Sequence, residues 1–296
     1  MNAAFVTTKY VALKEAWRPA AEKASAWVRE HRTALSWATT CASVAAVVAV
    51  LVSHGGWEAL AQTRVAVPWH LGAVLALWPV NLALEVAKWR KLSGSGTSRP
   101  WAEAWREVLA GQTWALLGPF RLADGAGRLV ASRANHLSAG AGAKAFARGA
   151  AAQGWATWAW AVPALVVWGN HAAAAALGLA AAVSSLVLVR SGAGPAVLAL
   201  SALRYAVFAL QYLLCLTGWG ALTTDLMWTE GFPRIAAVWC AVSTLPWPAE
   251  LGVREAAATW AFDDQLQGVV VATFVLWVIN RVGSAALGGF FLTPRP

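Results

Sequence analysis

The chain has 296 residues, 59% of them hydrophobic and 12% charged, and its formal net charge is +9. Residues 149–189 contain no Asp, Glu, Lys or Arg. This stretch is long enough for two membrane passes with a turn near Gly169-Asn170, because one spanning helix needs about 20 apolar residues. A soluble core of this size would not need such a stretch, so we expect an all-α polytopic membrane protein.

The basic residues do not indicate a nucleic-acid partner. They fall in two blocks, before residue 33 and at 88–148, beside apolar stretches, which is the pattern of cytoplasmic loops in membrane proteins. The 20 Trp residues suit membrane interfaces. The three cysteines lie in apolar stretches without zinc-like spacing, and the five histidines are scattered. We therefore expect no metal, no cofactor and no disulfide framework.

Hydropathy divides the chain into spans and shorter segments. Residues 1–33 alternate basic and apolar side chains and predict a cytoplasmic amphipathic segment, which either contacts the lipid surface or only orients the chain. Two uncharged stretches, 108–120 and 235–249, have 13 and 15 residues and are too short to cross a bilayer. Spanning helices are predicted at about 34–53, 65–88, 147–169, 171–189, 194–218 and 266–292.

A charged motif ends each of the two short stretches. Residues 118–128 read GPFRLADGAGR, and residues 245–255 read LPWPAELGVRE. Each copy has a proline-marked break, then Ala and an acid, with Arg four residues after the acid. Ionisable groups at membrane depth are costly and persist mainly where function needs them. Paired interrupted segments in the two halves of a chain are typical of a transporter binding site.

Charge and hydropathy together predict an inverted-topology repeat. With the basic amino terminus in the cytoplasm, the first two spans return the chain there, and a broken re-entrant segment keeps it on that side. Three further spans bring the second broken segment to the opposite face, and both termini are cytoplasmic. The predicted organisation is a cytoplasmic segment at 1–33, a first membrane repeat at 34–170 and a second, inverted repeat at 171–296.

Arg128 and Arg254 are the leading candidates for a lipid-phosphate site, since the Arg fork matches phosphate geometry and helix amino termini after a break favour anions. The alternative is internal pairing, because Asp124 and Glu250 each precede one of these arginines by four residues. Both alternatives hold if the pair opens when lipid binds. The two acids, and Glu255 with them, are also candidates to contact a cationic headgroup or to carry a proton.

Further polar residues lie inside predicted spans. Arg204 is in the middle of its span, where snorkelling explains it poorly, so we expect it to line a cavity. Arg121 and Gln211 complete the predicted substrate-binding set. Glu85 and Lys88 lie near a span end, and we expect them to snorkel to the surface. No catalytic set of residues stands out.

Four stretches resemble one known family. They are the second motif, with Ala249 to Glu255 as its most characteristic part, the first motif from Pro119 to Arg128, Arg204-Tyr205 followed by Gln211, and residues 276–280, which read LWVIN. Over about 34–292 the chain is similar to the lysylphosphatidylglycerol synthase transmembrane-region family, also called flippase-like domain proteins.

The resemblance implies a function and partners. In its best-known members the membrane domain moves aminoacylated phospholipid between leaflets, and a separate cytosolic domain makes that lipid from aminoacyl-tRNA. We expect no such synthase domain here, so the resemblance implies a lipid translocator of a bacterial cytoplasmic membrane and not an enzyme. Its partners would be a phosphate-bearing membrane lipid and a separately encoded lipid-modifying enzyme, and a homo-oligomer stays open. The alternative is an integral membrane enzyme or scaffold in lipid headgroup modification.

Overall fold

The computed structural model describes residues 64–94, 99–117, 121–133, 137–244, 253–262 and 266–289. Within these ranges every regular element is a helix, which confirms the predicted all-α class. The predicted amphipathic segment at 1–33 and the first predicted span at 34–53 lie outside the described residues. The break and the acid of the second motif, at 245–252, also lie outside them.

The described ranges contain ten α-helices and two π-helical turns, π1 and π2. In chain order they are α1 (Pro68–Ser93), α2 (Trp101–Leu117), α3 (Arg121–Arg133), α4 (Ala139–Val167), α5 (His171–Arg190), α6 (Gly194–Gly218), π1 (Met227–Gly231), α7 (Phe232–Thr244), α8 (Val253–Ala261), α9 (Leu266–Trp277), π2 (Val278–Gly283) and α10 (Ser284–Gly289).

Local sequence explains where the long helices begin. Pro68 opens α1, at a position where a residue without a backbone N–H leaves no donor unsatisfied. The side chain of Ser138 caps α4 by accepting a hydrogen bond from the backbone N–H of Ala141. Asn170 caps α5 in the same way, by accepting from the backbone N–H of Ala173. Such caps satisfy donors that the first helical turn leaves free.

The turn between α4 and α5 lies where the sequence predicted it. Gly169 has a φ of 71°, a left-handed conformation that favours glycine. The backbone N–H of Gly169 donates to the carbonyl of Val166 at 3.0 Å, and that of Asn170 donates to the carbonyl of Leu165 at 2.9 Å. These two bonds close the end of α4, and α5 then packs back against it.

Four helical segments in the described ranges are long and apolar enough to cross a membrane. They are α1, α5, α6 and the continuous segment Gly268–Gly289, which runs from α9 through π2 into α10. These four match the predicted spans at 65–88, 171–189, 194–218 and 266–292. Helix α4 has 29 residues and covers the predicted span at 147–169, but it begins earlier and is not one of the four. The total of six spans and the inverted repeat stay predictions.

The main hydrophobic core surrounds α6, which packs against α1, α4 and α9. Tyr212 and Leu216 of α6 are fully buried in it. The Tyr212 hydroxyl lies 2.6 Å from Oγ1 of Thr273, and Sγ of Cys215 donates to the carbonyl of Ala272 at 3.3 Å. Cys215 is therefore a buried core residue, as its apolar surroundings in the sequence predicted.

The short helices α2 and α3 pack closely because glycines leave room between them. A Cβ on Gly111 of α2 would strike the side chains of Asp124 and Arg128 on α3, and a Cβ on Gly127 would lie 2.8 Å from the Cβ of Trp114. Small residues allow helices in membranes to approach closely. Gly127, inside the first charged motif, and Gly111, outside it, therefore both have a packing role.

The described part of the first charged motif, residues 121–128, lies in α3. Helix α2 ends at Leu117 and α3 begins at Arg121, on either side of the predicted break at Gly118-Pro119. Residues 118–120 lie outside the described part of the chain. A re-entrant path for this segment stays a prediction.

Two adjacent glycines test the packing of α10 on α2. A Cβ on Gly288 would strike the carbonyl oxygen of Leu109 and Oγ1 of Thr113, whereas a Cβ on Gly289 would meet nothing within 4 Å. We expect Gly288→Ala to lower the free energy of unfolding by ~1–3 kcal/mol through overpacking, and Gly289→Ala to change it little. Thermal unfolding in detergent measures both variants. Equal midpoints of thermal unfolding for the two variants would contradict the close contact between α10 and α2.

Candidate functional site

Charged side chains from three helices meet around the carboxylate of Glu85 on α1. Glu85 is 5% exposed. Its carboxylate lies 2.7 Å from Nζ of Lys88, 2.9 Å from Nη1 of Arg128 and 2.7 Å from Nη1 of Arg204. Asp124 pairs with Arg128 beside them. These five residues, here named the Glu85 cluster, join α1 to α3 and α6.

Arg204 of the Glu85 cluster lies in the middle of an apolar helix. Arg204 is ten residues after Gly194, the first residue of α6, and this spacing corresponds to about 15 Å along the helix. Its mid-span position is as predicted. The prediction that Glu85 and Lys88 snorkel to the surface is wrong, because both are buried. Arginines on α3 and α6 pair with the Glu85 carboxylate, which is therefore buried and does not extend to the surface.

Arg128 is enclosed by carboxylates and aromatic rings. Its Nε and Nη2 donate to Oδ1 and Oδ2 of Asp124 at 2.6 and 2.9 Å, a bidentate pair. Its guanidinium carbon lies 5.2 Å from the centre of the Trp89 ring and 5.9 Å from that of Phe146, within cation–π range. The internal pairing considered for the first motif is therefore present, and Glu85 extends it to a second helix.

The aromatic wall behind Arg128 is fixed by a second group of buried charges. Nε1 of Trp89 donates to Oε2 of Glu107 at 2.7 Å. Glu107 is fully buried and pairs with Arg99. Charge-assisted hydrogen bonds of this kind are the stronger ones. They hold the Trp89 ring in place against the Arg128 guanidinium.

Amide side chains connect the Glu85 cluster to one further element, π2. Nδ2 of Asn81, one helical turn before Glu85, donates to Oε1 of Gln211 at 3.0 Å and to Oδ1 of Asn280 at 3.2 Å. Oδ1 of Asn81 accepts from Nε of Arg204 at 3.0 Å. Gln211, predicted from the sequence as a site residue, is therefore linked to Arg204 through Asn81.

The π2 turn lies at this junction. It contains Asn280 and Arg281, and Nη1 of Arg281 donates to Oε1 of Gln112 on α2 at 3.1 Å. Isolated π-helical turns are frequent at functional sites. Here the turn places polar side chains within a segment that is otherwise apolar.

Gln153 of α4 completes the surroundings of the cations. Its Oε1 accepts from Nη1 of Arg204 at 3.2 Å and from Nζ of Lys88 at 3.4 Å. The side chain of Arg204 is 26% exposed, against 7% for Glu85 and 4% for Arg128. Among these, Arg204 is the most accessible side chain.

The structure brings four of the eight predicted site residues together: Asp124, Arg128, Arg204 and Gln211. Glu250 lies outside the described residues. Backbone positions alone are described for the other three, with Arg121 opening α3 and Arg254 and Glu255 in the first turn of α8.

Three of the residues that sequence reasoning missed share one face of α1. Asn81, Glu85 and Lys88 are spaced four and three residues apart, so their side chains project from the same side of the helix. A polar stripe on a spanning helix indicates a buried partner. Because Glu85 and Lys88 lie near the end of the predicted span, their position suggested snorkelling, and the polar stripe was overlooked.

Within the described residues, no group of three or more His, Cys, Asp or Glu side chains is arranged to hold a metal ion. Comparisons with models of protein families, with curated proteins and with solved structures give no match.

Replacement of Asn81 tests the amide junction. Asn81→Leu keeps the side-chain volume but removes the partner of Gln211 Oε1 and Arg204 Nε, and polar groups left unsatisfied in a buried site cost about 1–3 kcal/mol. We expect a corresponding loss of stability in thermal unfolding. Ser185→Leu is the control, since the Ser185 hydroxyl bonds within its own helix. Similar midpoints for both variants would contradict a structural role for the junction.

Proposed function

We propose that the chain is a lipid translocator that moves a phosphate-bearing lipid, aminoacylated or not, across the bacterial cytoplasmic membrane. The Glu85 cluster is the observation that supports this proposal. Three helices gather two arginines and a lysine around one carboxylate, and two of those helices are apolar enough to cross a membrane. Ionisable groups at such depth are costly and mark substrate pathways.

The charge balance of the cluster favours an anionic ligand. Three cations face two carboxylates, Glu85 and Asp124. A phosphate group would offset this excess, and the forked donors of Arg128 and Arg204 match its oxygens.

The headgroup would enter beside Arg204, the most exposed side chain of the cluster, while the acyl chains stay in the surrounding lipid. Ion pairs and amides hold the helices together at this point. A phosphate can replace such partners with its own oxygens, so the ion pairs of α3 and α6 with α1 can open here while each arginine keeps an anionic partner. Asp124 would contact the amino group of an aminoacylated headgroup.

The resemblance to flippase-like domain proteins supports the same function. In this proposal the chain has six spans and two re-entrant segments in inverted repeats, with both termini cytoplasmic. The second motif would supply Glu250, Arg254 and Glu255 to an equivalent half-site, and Arg121 would flank the first. The ligand is a phosphate-bearing membrane lipid, and a separately encoded lipid-modifying enzyme would supply it in aminoacylated form.

Transport by an Arg128 variant tests the function. Arg128→Lys keeps the charge but removes the fork, and hydrogen bonds to charged groups contribute about 1.5–3 kcal/mol, equivalent to about 10-fold or more in rate. We expect proteoliposomes with this variant to translocate fluorescent phosphatidylglycerol at least about 10-fold more slowly than wild type. Arg190→Lys, at the exposed end of α5, is the matched control and should transport normally.

Equal transport by the two lysine variants would contradict the phosphate site. Wild-type protein that leaves the lipid in its original leaflet would contradict the translocator. Chemical conversion of the headgroup by purified protein, detected by mass spectrometry of the extracted lipids, would instead support the membrane enzyme alternative.

Cysteine labelling tests the inverted topology. Ser138 and Thr229 are both exposed, before α4 and in π1. In a background without Cys41, Cys215 and Cys240, a cysteine at position 138 should react from the cytoplasm and one at position 229 from outside. A membrane-impermeant maleimide on intact cells and on inverted vesicles distinguishes the two. Labelling of both positions from the same side would contradict the inverted repeat.

A further inference from the structure

We propose that Glu85 is an internal carboxylate that occupies the anion site when no ligand is bound, and that a phosphate ester binds by displacing it from Arg128 and Arg204. This inference rests on the proposed function and adds to it the residue that controls entry to the site. It also connects ligand binding to the contact between helices.

The pairing of Glu85 is that expected of a ligand surrogate. Oε1 faces Nη1 of Arg128, and Oε2 faces both Nζ of Lys88 and Nη1 of Arg204. The single negative charge of Glu85 is therefore shared among three cations. A phosphate ester offers more acceptor oxygens than a carboxylate and suits the same forked donors. The groups that now hold Glu85 are those that would hold the phosphate.

Asp124 differs from Glu85 in what its pair connects. Asp124 and Arg128 lie four residues apart on α3, so this pair persists when α3 moves as a body. The pairs of Glu85 with Arg128 and Arg204 instead join α1 to α3 and α6. Displacement of Glu85 breaks ion pairs that join α1 to α3 and α6. Displacement of Asp124 breaks no ion pair between these three helices.

A displaced Glu85 would keep a partner. Lys88 is three residues further along α1 and already lies 2.7 Å from Oε2, so this pair moves with the helix. Isolated buried charge is what makes breaking an ion pair costly. Because Glu85 retains Lys88 and the arginines gain the phosphate, the exchange leaves no charge of the cluster alone.

Access to the site is consistent with exchange from the Arg204 side. Arg204 is 26% exposed, and its remaining partners are the amides of Asn81 and Gln153. An amide carries both donors and acceptors, so these two side chains can turn to meet phosphate oxygens. The ligand would reach Arg204 first and Arg128 after Glu85 has moved.

Binding of defined lipids to the full chain tests the exchange. Native mass spectrometry in detergent would compare phosphatidylglycerol with diacylglycerol of the same acyl chains, using wild type, Glu85→Gln and Asp124→Asn. We expect Glu85→Gln to bind phosphatidylglycerol at least about 10-fold more tightly than wild type, a difference of ~1.4 kcal/mol. Asp124→Asn, which also removes one carboxylate charge, should not show this gain.

The outcomes separate the inference from the function on which it rests. If wild type prefers phosphatidylglycerol to diacylglycerol but Glu85→Gln gains nothing, the exchange is wrong and the anionic lipid site stands. An equal gain in Asp124→Asn would also overturn the exchange, since any lost carboxylate would then suffice. If wild type does not prefer phosphatidylglycerol, the proposed lipid site fails and the inference fails with it.

Inorganic phosphate distinguishes a lipid headgroup from a free anion. If it competes with phosphatidylglycerol only weakly, the lipid is the ligand. If it binds both wild type and Glu85→Gln as tightly as phosphatidylglycerol does, the exchange stands but the site takes a free anion, which contradicts lipid translocation.

A second variant, Glu85→Asp, tests the exchange if Glu85→Gln does not fold. Glu85→Asp keeps the charge on a side chain one methylene shorter, so the carboxylate cannot reach all three cations. It should bind phosphatidylglycerol about 3-fold more tightly than wild type, a difference of ~0.7 kcal/mol. No gain in this variant would overturn the exchange.

Discussion

The described structure depends on one carboxylate that is surrounded by cations in an apolar setting. A charge taken out of water is tolerated only when its partners are close and well oriented. Glu85 has one cation on its own helix and one on each of two others, at 2.7 to 2.9 Å from its carboxylate oxygens. The relative positions of α1, α3 and α6 are therefore constrained by ion pairs as well as by packing. A change in the charge of the site would alter how these three helices are held together.

The arginine next to Glu85 shows how the first motif serves both packing and chemistry. Gly111 and Gly127 allow α3 to approach α2, and the aromatic rings of Trp89 and Phe146 then cover the Arg128 guanidinium. Bulkier residues at these glycines would move the arginine away from Glu85. The Gly-rich character of the motif thus reflects the need to bring a forked cation close to a neighbouring helix.

The helices are predicted from the sequence more accurately than the site. Hydropathy, capping residues and the Gly169-Asn170 turn are local signals, and the helices they predicted at 65–88, 171–189 and 194–218 are observed. Arg204 was identified because a charge in mid-span is anomalous within its own helix. Glu85 was misjudged because its burial depends on arginines that lie 43 and 119 residues further along the chain. The polar stripe of α1 indicates a buried partner, but nothing within α1 identifies Arg128 and Arg204 as those partners.

The π2 turn has a consequence for the last membrane segment as a whole. A π turn holds one more residue than an α turn, and each residue of an α-helix turns its side chain by about 100°. The helical phase of α10 is therefore offset from that of α9, although the two form one continuous segment. The two ends of the segment present small residues to different neighbours, Gly268 to Ala221 and Gly288 to Leu109. Passage of this extra residue along the segment would re-aim Asn280 and Arg281 without unwinding the helix.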